Sequence, residues 1–279
     1  MKTPLFLALV ACILLTRPAH AAGGRGPALP ANPALPTIWL IGDSTMRNGQ
    51  DDGQNKGDAG QWPGVRDSLK KGDYVIMQFG HNDNNGVFTG AGGYRASLNG
   101  SGDETQEVTN QRGQPETAHT YGWYLKQYVD EARAKGATPV VCSLIPRKLW
   151  QDDGRIVRSN DKYFNYPTWA AEVAKAKDTP FINLNELIAR QYDVLGHDAV
   201  MKLFPDPVTS ANGTVTDEHT HTNMAGAKLN AATVVAGLKA IKDSPFVAFL
   251  SEAGRAVAPA ADLSQPAPPP KGKPEPPKS

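Results

Sequence analysis

The chain has almost no cysteine and no excess of charge of either sign. Its 2 cysteines are Cys12 and Cys142, which excludes a disulfide-stapled scaffold. Lysine and arginine number 29 against 28 aspartates and glutamates, so the chain lacks the basic balance expected of a protein that binds nucleic acid or anionic membranes. A hydrophobic fraction of 40% is nevertheless sufficient for a buried core.

The two ends of the chain differ in composition from the rest. Lys2, the apolar residues 4–15 and the "AHA" of residues 19–21 follow the order of a secretory signal peptide. We therefore predict that residues 1–21 are removed on export to a bacterial periplasm or the medium, because the apolar run is too short to span a membrane. Residues 22–36 are predicted to be a linker, and the proline-rich residues 259–279 a disordered tail.

Between residues 37 and 258, short apolar runs alternate with helical patterns. Four runs are typical of buried parallel strands: "TIWLIGDS", "GDYVIMQFGHND", "ATPVVCSLIP" and "TPFINLNELI". Amphipathic patterns predict helices over residues 120–135 and 167–177 and from Met224 onward. We predict one α/β domain, a three-layer α/β/α doubly wound parallel sheet that binds its ligand beyond the carboxyl ends of the strands. Cys142 lies in the third run and is predicted to be an inert core thiol.

Three polar segments carry candidate catalytic residues. "IGDST" delivers Ser44 from the first strand into a turn where backbone amides favour an oxyanion. "FGHND" ends the second run and offers the side-chain amide of Asn82. "HTHTN" supplies histidine before the last helix, with an acid a few residues upstream to hold the imidazole. Each segment alone is ordinary turn chemistry, but the three together predict a serine hydrolase.

The segments "GDSTMRNG", "MQFGHND", "HTYGWYL" and "EHTHTNMAGA" resemble the motif blocks of the SGNH (GDSL-like) hydrolases, and among these the rhamnogalacturonan acetylesterases. The resemblance extends from Thr37 to about Ala258. It implies a secreted carbohydrate esterase that removes acetyl groups from the galacturonic acid residues of pectic rhamnogalacturonan, without a metal or organic cofactor. The implied partner is an acetylated pectic polysaccharide or oligosaccharide, and we expect a monomer with no nucleic-acid partner and no membrane span.

The resemblance also implies a role for each matching residue. Ser44 would be the nucleophile and His221 the general base, and Glu218 lies at the position of the acid that holds the imidazole. The backbone N–H of Ser44, the side chain of Asn82 and Gly80 are the candidate oxyanion donors. The family pattern has aspartate where this chain has Glu218, and glutamate fills the same role in some serine hydrolases.

The other polar side chains near these motifs leave alternatives open. Asp217 is the alternative acid, although it lies one residue further from the histidine. Asp43 and Asp83 are predicted to hold turns by bonding backbone amides, and His219 to line the site. A divalent metal bound by Asp43, Asp83, His219 and His221 is disfavoured, because the chain has no ligand cluster for a second metal ion.

One part of the family pattern is missing after Trp62. Ser44 and Tyr74 are only 30 positions apart, about the length of a single strand-helix-strand unit. The resemblance implies an additional strand here, with a glycine that supplies another oxyanion N–H. We therefore expect a sheet one strand short with exposed apolar neighbours, and turnover lowered about a hundredfold or more. The glycines that would have to substitute lie in a polar loop, and they are Gly53, Gly57 and Gly60.

Two further functions therefore stay open: a weakly active or non-catalytic polysaccharide-binding relative with an incomplete oxyanion hole, and an SGNH esterase for another acyl substrate. Four aromatic residues are predicted either to stack on sugar rings or to pack within the protein, and these are Trp62, Tyr121, Trp123 and Trp150. Three basic residues after the third apolar run are candidates for binding galacturonate carboxylates or are solvated surface charges, and these are Arg147, Lys148 and Arg155.

Overall fold

The computed structural model describes residues 32, 34–46, 61–83, 97–109, 113, 115–158 and 165–271. The predicted signal peptide, most of the predicted linker and the glycine-rich residues 49–60 lie outside the described residues. In the part of the chain that is described, no helix has the length and apolar character needed to cross a membrane.

The elements follow one another in the alternating order that the sequence predicts. They are β1 (Ile38–Gly42), a 3₁₀ turn (Ser44–Met46), α1 (Gln61–Ser68), β2 (Tyr74–Gln78), β3 (Thr105–Thr109), β4 (Pro115–His119), α2 (Tyr121–Ala134), β5 (Thr138–Cys142), α3 (Tyr166–Ala176), β6 (Phe181–Ile182), α4 (Leu184–Leu195), α5 (His197–Met201), β7 (Val208–Thr209), β8 (Val215–Thr216), α6 (Met224–Ala240), a second 3₁₀ turn (Pro245–Phe249) and α7 (Glu252–Ala256).

The four predicted strands form one parallel sheet in the order β1-β2-β5-β6. Helices α2 and α3 cover one face of this sheet, and α4 and α6 cover the other. The predicted three-layer α/β/α fold is thereby confirmed. Because all four strands are parallel, their carboxyl ends lie at the same edge of the sheet, and the loops after β1 and β2 are neighbours there.

The two faces of the sheet have separate hydrophobic cores because side chains alternate along each strand. Val75 and Met77 of β2 are fully buried against α2 and α3, whereas Ile76 between them packs toward α4 and α6. The thiol of Cys142 lies in the second core, where burial raises its pKa to about 12. The prediction of an inert core cysteine is confirmed.

Strand β1 lies at the edge of the sheet among the strands that the structure describes. Trp39 and Ile41 are buried in the first core, but Ile38 and Leu40 on the other side of β1 are 44% and 60% exposed. The short segment between Ser44 and Tyr74 predicts a sheet that is one strand short, with exposed apolar side chains on the neighbouring strand. The exposure follows from the lack of a covering element at this edge within the described residues.

Helix boundaries follow from local capping. Thr120 accepts a hydrogen bond at Oγ1 from the backbone N–H of Trp123, 3.0 Å away, and so begins α2 at Tyr121. The chain leaves this helix at Gly136, whose φ of 75° is accessible to glycine without strain. Helix α3 begins at Tyr166, one residue before the predicted start.

Residues 259–271, predicted to be disordered, instead lie against the helical layer. Arg190 donates from Nη1 to the carbonyl of Gln265 at 2.9 Å, and Arg155 donates from Nη1 to the carbonyl of Pro268 at 3.2 Å. The backbone N–H of Lys271 donates to the carbonyl of Asp193 at 2.8 Å. The composition of this segment excludes a hydrophobic core of its own. It does not prevent its backbone carbonyls from accepting hydrogen bonds from the rest of the protein, so the prediction of disorder is corrected as far as residue 271.

Candidate active site

Ser44 follows the end of β1 in a turn that Asp43 holds together. The Oδ1 atom of Asp43 accepts hydrogen bonds from the N–H and hydroxyl of Thr45 at 3.0 and 2.6 Å. Its Oδ2 atom accepts from the N–H of His81 at 3.1 Å, which ties the loop after β2 to this turn. The predicted turn-holding role of Asp43 is confirmed. A side chain at Gly42 would approach the carbonyl of Gln78 within 2.3 Å, so the close contact of the two strand ends requires glycine.

The serine, a histidine and a carboxylate form a continuous chain of hydrogen-bond contacts. Ser44 Oγ lies 2.7 Å from Nε2 of His221, although 177 positions separate the two residues in the sequence. The other ring nitrogen of His221, Nδ1, lies 3.0 Å from Oε2 of Glu218. The imidazole is 48% exposed and is therefore accessible to a reactant from solvent. This is the geometry of a nucleophile, its base and the group that orients the base.

Glu218 is held by the backbone of its own loop. Its Oε1 atom accepts from the N–H of Thr220 at 2.7 Å and from the N–H of His221 at 3.0 Å, while Oε2 faces the imidazole. Partial burial opposes ionisation of this carboxyl, but hydrogen bonds from the His221 ring and from both N–H groups lower its pKa to about 2. Glu218 is therefore a carboxylate throughout the neutral range, able to stabilise an imidazolium.

Asp217, the alternative acid, is directed to a different partner. Its Oδ1 atom lies 2.6 Å from Nζ of Lys148, whose side chain is 1% exposed. The backbone N–H of Lys148 also donates to the carbonyl of His219 at 2.9 Å, and its ammonium lies 5.3 Å from the centre of the Phe204 ring. Of the two acids, the structure brings Glu218 and not Asp217 to the imidazole. The ion pair of Lys148 and Asp217 connects the loop that carries His221 to the segment after β5. No spacing in the sequence indicated this connection.

The start of α6 fixes the other end of the histidine loop. Asn223 accepts at Oδ1 from the N–H groups of Ala225 and Gly226 at 2.9 and 3.2 Å. Its Nδ2 donates to the carbonyls of Lys202 and Phe204, both at 2.9 Å. The backbone two residues after His221 is therefore bonded to both the helix and the preceding loop, which limits the movement of the imidazole.

The loop after β2 carries the candidate oxyanion donors. Asn82 is half-buried here, directly after His81, whose N–H is bonded to Asp43 beside Ser44. Gly80 has a φ of 130° and lies against Tyr166, so this turn requires glycine. Asp83, three residues further on, accepts at Oδ1 from the hydroxyl of Ser97 at 3.4 Å. The role of Gly80 as an oxyanion donor stays a prediction.

Two titratable groups in this loop have strongly shifted pKa values. Burial lowers the pKa of His81 to about 4 against the opposing charge of Asp43, and neither ring nitrogen has a partner among the described residues. Burial and the charge of Asp43 raise the pKa of Asp83 to about 7. Asp83 also accepts at its backbone carbonyl from the N–H of Ser97 at 3.2 Å, so its contacts lie within the loop and not at the reacting serine.

The candidate sugar-stacking aromatics contact other protein groups. Trp62 lies 4.9 Å from the ring of Tyr128, and Trp123 stacks on His119 at 3.7 Å. Trp150 lies 4.6 Å from the ring of His197, and Tyr121 is buried in the first core. These contacts favour the packing interpretation. Among the described residues, no three His, Cys, Asp or Glu side chains are grouped so that they could hold a metal ion.

Comparisons with known proteins place these features in context. The model of the GDSL-like Lipase/Acylhydrolase family matches residues 18–229. The chain is 28% identical over 215 residues to rhamnogalacturonan acetylesterase of Emericella nidulans, covering 69% of this chain and 80% of that protein. It is 26% identical over 145 residues to rhamnogalacturonan acetylesterase RhgT of Bacillus subtilis, covering 52% of this chain and 50% of that protein.

A solved structure supports the fold alone. The crystal structure of the YxiM protein of Bacillus subtilis superposes with a TM-score of 0.50 at 19% identity, over 73% of this chain and 56% of that chain. The chain therefore spans about half the length of each of these two Bacillus subtilis proteins.

Proposed function

Because the chain belongs to the GDSL-like lipase/acylhydrolase family, we propose that it is a secreted carbohydrate esterase that removes acetyl groups from pectic rhamnogalacturonan through Ser44, His221 and Glu218. The observation that carries the mechanism is the linked geometry of these three side chains, with 2.7 Å between Ser44 Oγ and His221 Nε2 and 3.0 Å between His221 Nδ1 and Glu218 Oε2. The substrate class is supported by the names of two relatives, both rhamnogalacturonan acetylesterases.

The first half of the reaction forms an acetyl-enzyme. The oxygen of Ser44 attacks the acetyl carbonyl carbon while Nε2 of His221 takes the hydroxyl proton. The resulting tetrahedral intermediate collapses, the bond from carbon to the sugar oxygen breaks, and the imidazolium returns its proton to that oxygen as the sugar hydroxyl leaves. The ionised Glu218 stabilises the imidazolium during this step and holds Nδ1 in its protonated state.

The second half releases acetate. A water molecule takes the place of the sugar hydroxyl, His221 accepts its proton, and the hydroxide attacks the acetyl group on Ser44. Collapse of the second tetrahedral intermediate breaks the bond to Ser44 Oγ, which recovers the proton from the imidazolium. The exposure of the His221 side chain supports access for this water.

Oxyanion stabilisation is assigned to the backbone N–H of Ser44 and the side-chain amide of Asn82. Loss of one such donor typically lowers turnover by about a hundredfold to a thousandfold. Asn82→Ala therefore separates this role from simple packing, since it should lower kcat much more than it changes KM. Because the segment between Ser44 and Tyr74 is short, a third donor of the family pattern has no matching block in this chain.

That short segment favours a second candidate function, a weakly active or non-catalytic polysaccharide-binding relative. The exposure of Leu40 at 60% on the edge strand is consistent with the same missing piece. The three linked side chains oppose this alternative, since a protein that only binds sugar has no use for a serine within 2.7 Å of an oriented imidazole. An esterase of the same mechanism for another acyl substrate is the third candidate.

The test is acetate release from acetylated rhamnogalacturonan by the mature chain, with Ser44→Ala as the inactive variant. Ser264→Ala, an exposed serine far from the site in sequence, is the matched control and should retain full activity. Release that Ser44→Ala abolishes, without a change in the unfolding midpoint, supports the serine mechanism. Release of acetate from p-nitrophenyl acetate but not from the polysaccharide would support another acyl substrate, and binding without any release would support the non-catalytic relative.

A further inference from the structure

Of the three basic residues after β5 that are candidates for binding a carboxylate, only Arg147 lacks a carboxylate partner among the described residues. Lys148 pairs with Asp217 at 2.6 Å. Arg155 lies 3.5 Å from Asp193 and 3.7 Å from Asp153. Arg147, in contrast, makes a single hydrogen bond from Nη2 to the carbonyl of His81 at 3.3 Å. In the part of the chain that the structure describes, no carboxylate lies within ion-pair distance of its guanidinium.

Arg147 lies between the two loops that form the candidate active site. On one side its guanidinium contacts His81, the residue before Asn82 in the loop after β2. On the other side the next residue, Lys148, donates its N–H to the carbonyl of His219 in the loop that carries the catalytic histidine. Burial first, and then the charge of Arg147 ahead of those of the two histidines, lowers the pKa of His81. The cation therefore acts on the loop that carries Asn82, next to the turn of Ser44.

The acids of the serine turn and of the histidine loop accept hydrogen bonds from other donors. Asp43 accepts from Thr45, Gln78 and His81, and Glu218 accepts from Thr220 and from His221. A half-buried guanidinium without a counterion retains most of its five N–H donors for an external anion. The planar arrangement of these donors matches the two oxygens of a carboxylate, which is why arginine binds such groups more specifically than lysine.

We propose that Arg147 binds the carboxylate of an acidic sugar unit beside the acetylated position, so that the site selects anionic over neutral acetylated polysaccharides. This inference rests on the proposed function, because it assigns a substrate charge to the same site. The contribution is to binding and positioning of the sugar, not to the bond-breaking step. It predicts a lower KM for the charged substrate, and a KM that rises with ionic strength because salt screens a partly exposed ion pair.

The experiment compares two forms of one substrate. Acetylated rhamnogalacturonan oligosaccharides are used as such, and after chemical reduction of their carboxylates to primary alcohols, which removes the charge and retains the sugar chain. Arg147→Gln should lower the ratio of kcat/KM for the charged form to kcat/KM for the reduced form by about tenfold to a hundredfold, the effect of losing a charged hydrogen-bonded pair. Arg147→Lys should recover part of this ratio, because it retains the charge without the fork of donors.

A matched control removes one positive charge elsewhere. Lys228→Gln changes an exposed lysine of α6 and should leave the ratio as in the wild type. Use of the ratio cancels any general effect of losing the bond to the His81 carbonyl, since that loss affects both substrate forms equally. An equal decrease for both forms in Arg147→Gln would overturn the proposal and assign Arg147 to loop support.

Failure of the proposed function is distinguishable from failure of this inference. Binding of both oligosaccharide forms to Ser44→Ala, measured by calorimetry, does not require turnover. The anion site predicts that Ser44→Ala binds the reduced form more weakly than the charged form. It also predicts that the double variant with Ser44→Ala and Arg147→Gln binds both forms equally. These two results support the anion site even if the wild type releases no acetate. Equal affinities for both forms would overturn the anion site, even if acetate release confirms the esterase.

Discussion

Replacement of Glu218 by glutamine tests which acid serves the catalytic histidine. The two oxygens of Glu218 accept three hydrogen bonds, two from backbone N–H groups and one from Nδ1 of His221. A glutamine has only one oxygen acceptor, so it cannot satisfy both sides of this arrangement. With its oxygen on the backbone groups, its amide N–H₂ faces Nδ1 and favours the tautomer whose Nε2 carries the proton. That tautomer cannot accept the proton of Ser44.

The expected loss follows from two effects in Glu218→Gln. A carboxylate and an imidazolium about 4 Å apart attract each other by about 4 kcal/mol at an effective dielectric constant near 20. Solvent screening reduces this value, because the two side chains are 36% and 48% exposed. The unfavourable tautomer raises the barrier further, in addition to the attraction that is lost after screening. We expect kcat to fall by about a thousandfold to ten-thousandfold, which corresponds to about 4 to 5.5 kcal/mol in the barrier.

The matched variant is Asp217→Asn, which changes the neighbouring acid by the same chemical step. It should keep kcat within about tenfold of the wild type, because Asp217 bonds Lys148 and not the imidazole. It should instead lower the free energy of unfolding by about 1 to 3 kcal/mol, since the buried Lys148 ammonium loses its charged partner. Acetate release and urea unfolding of both variants measure these effects. A thousandfold loss in Asp217→Asn, with Glu218→Gln nearly unchanged, would refute the assignment.

Three further predictions concern the support of the site and the sheet. Because the pKa of Asp83 is raised to about 7, the free energy of unfolding of the wild type should fall as pH rises from about 4 to about 7. Asp83→Asn should reduce this fall, as measured by urea unfolding at pH 5 and pH 8. An equal fall in the wild type and the variant would contradict the prediction. Lys148→Met should lower kcat about tenfold, because it removes the ion pair by which Lys148 holds Asp217 in the histidine loop. Lys148→Arg retains the charge and should keep most activity, and full activity of the methionine variant would contradict this role. Leu40→Thr at the exposed edge of the sheet should change the free energy of unfolding by less than about 0.5 kcal/mol. Met77→Ala in the buried centre should lower it by about 2 to 5 kcal/mol. Thermal unfolding of the two variants distinguishes these effects.

Much of the fold was predictable because its signals are local. The apolar runs that became β1, β2, β5 and β6 are bounded by turn residues, and Thr120 and Gly136 mark the limits of α2 within one or two positions. The hairpins β3–β4 and β7–β8 were not predicted, because their strands are mostly exposed and lack an apolar run. The docking of residues 259–271 was also missed, since it depends on backbone carbonyls that any composition supplies.

The sequence by itself determined which chemistry this chain carries and where along the chain it is found. Ser44 follows β1 and Asn82 follows β2, so a parallel sheet in which these strands are neighbours brings both to one edge. Only the tertiary structure decided between Glu218 and Asp217, and between Arg147 and Lys148 as the cation available to a ligand. The physical reason is that hydrogen bonds and ion pairs depend on angles and distances of a few tenths of an ångström between segments far apart in the chain. Residue order constrains which segments meet, whereas packing sets which atoms face each other.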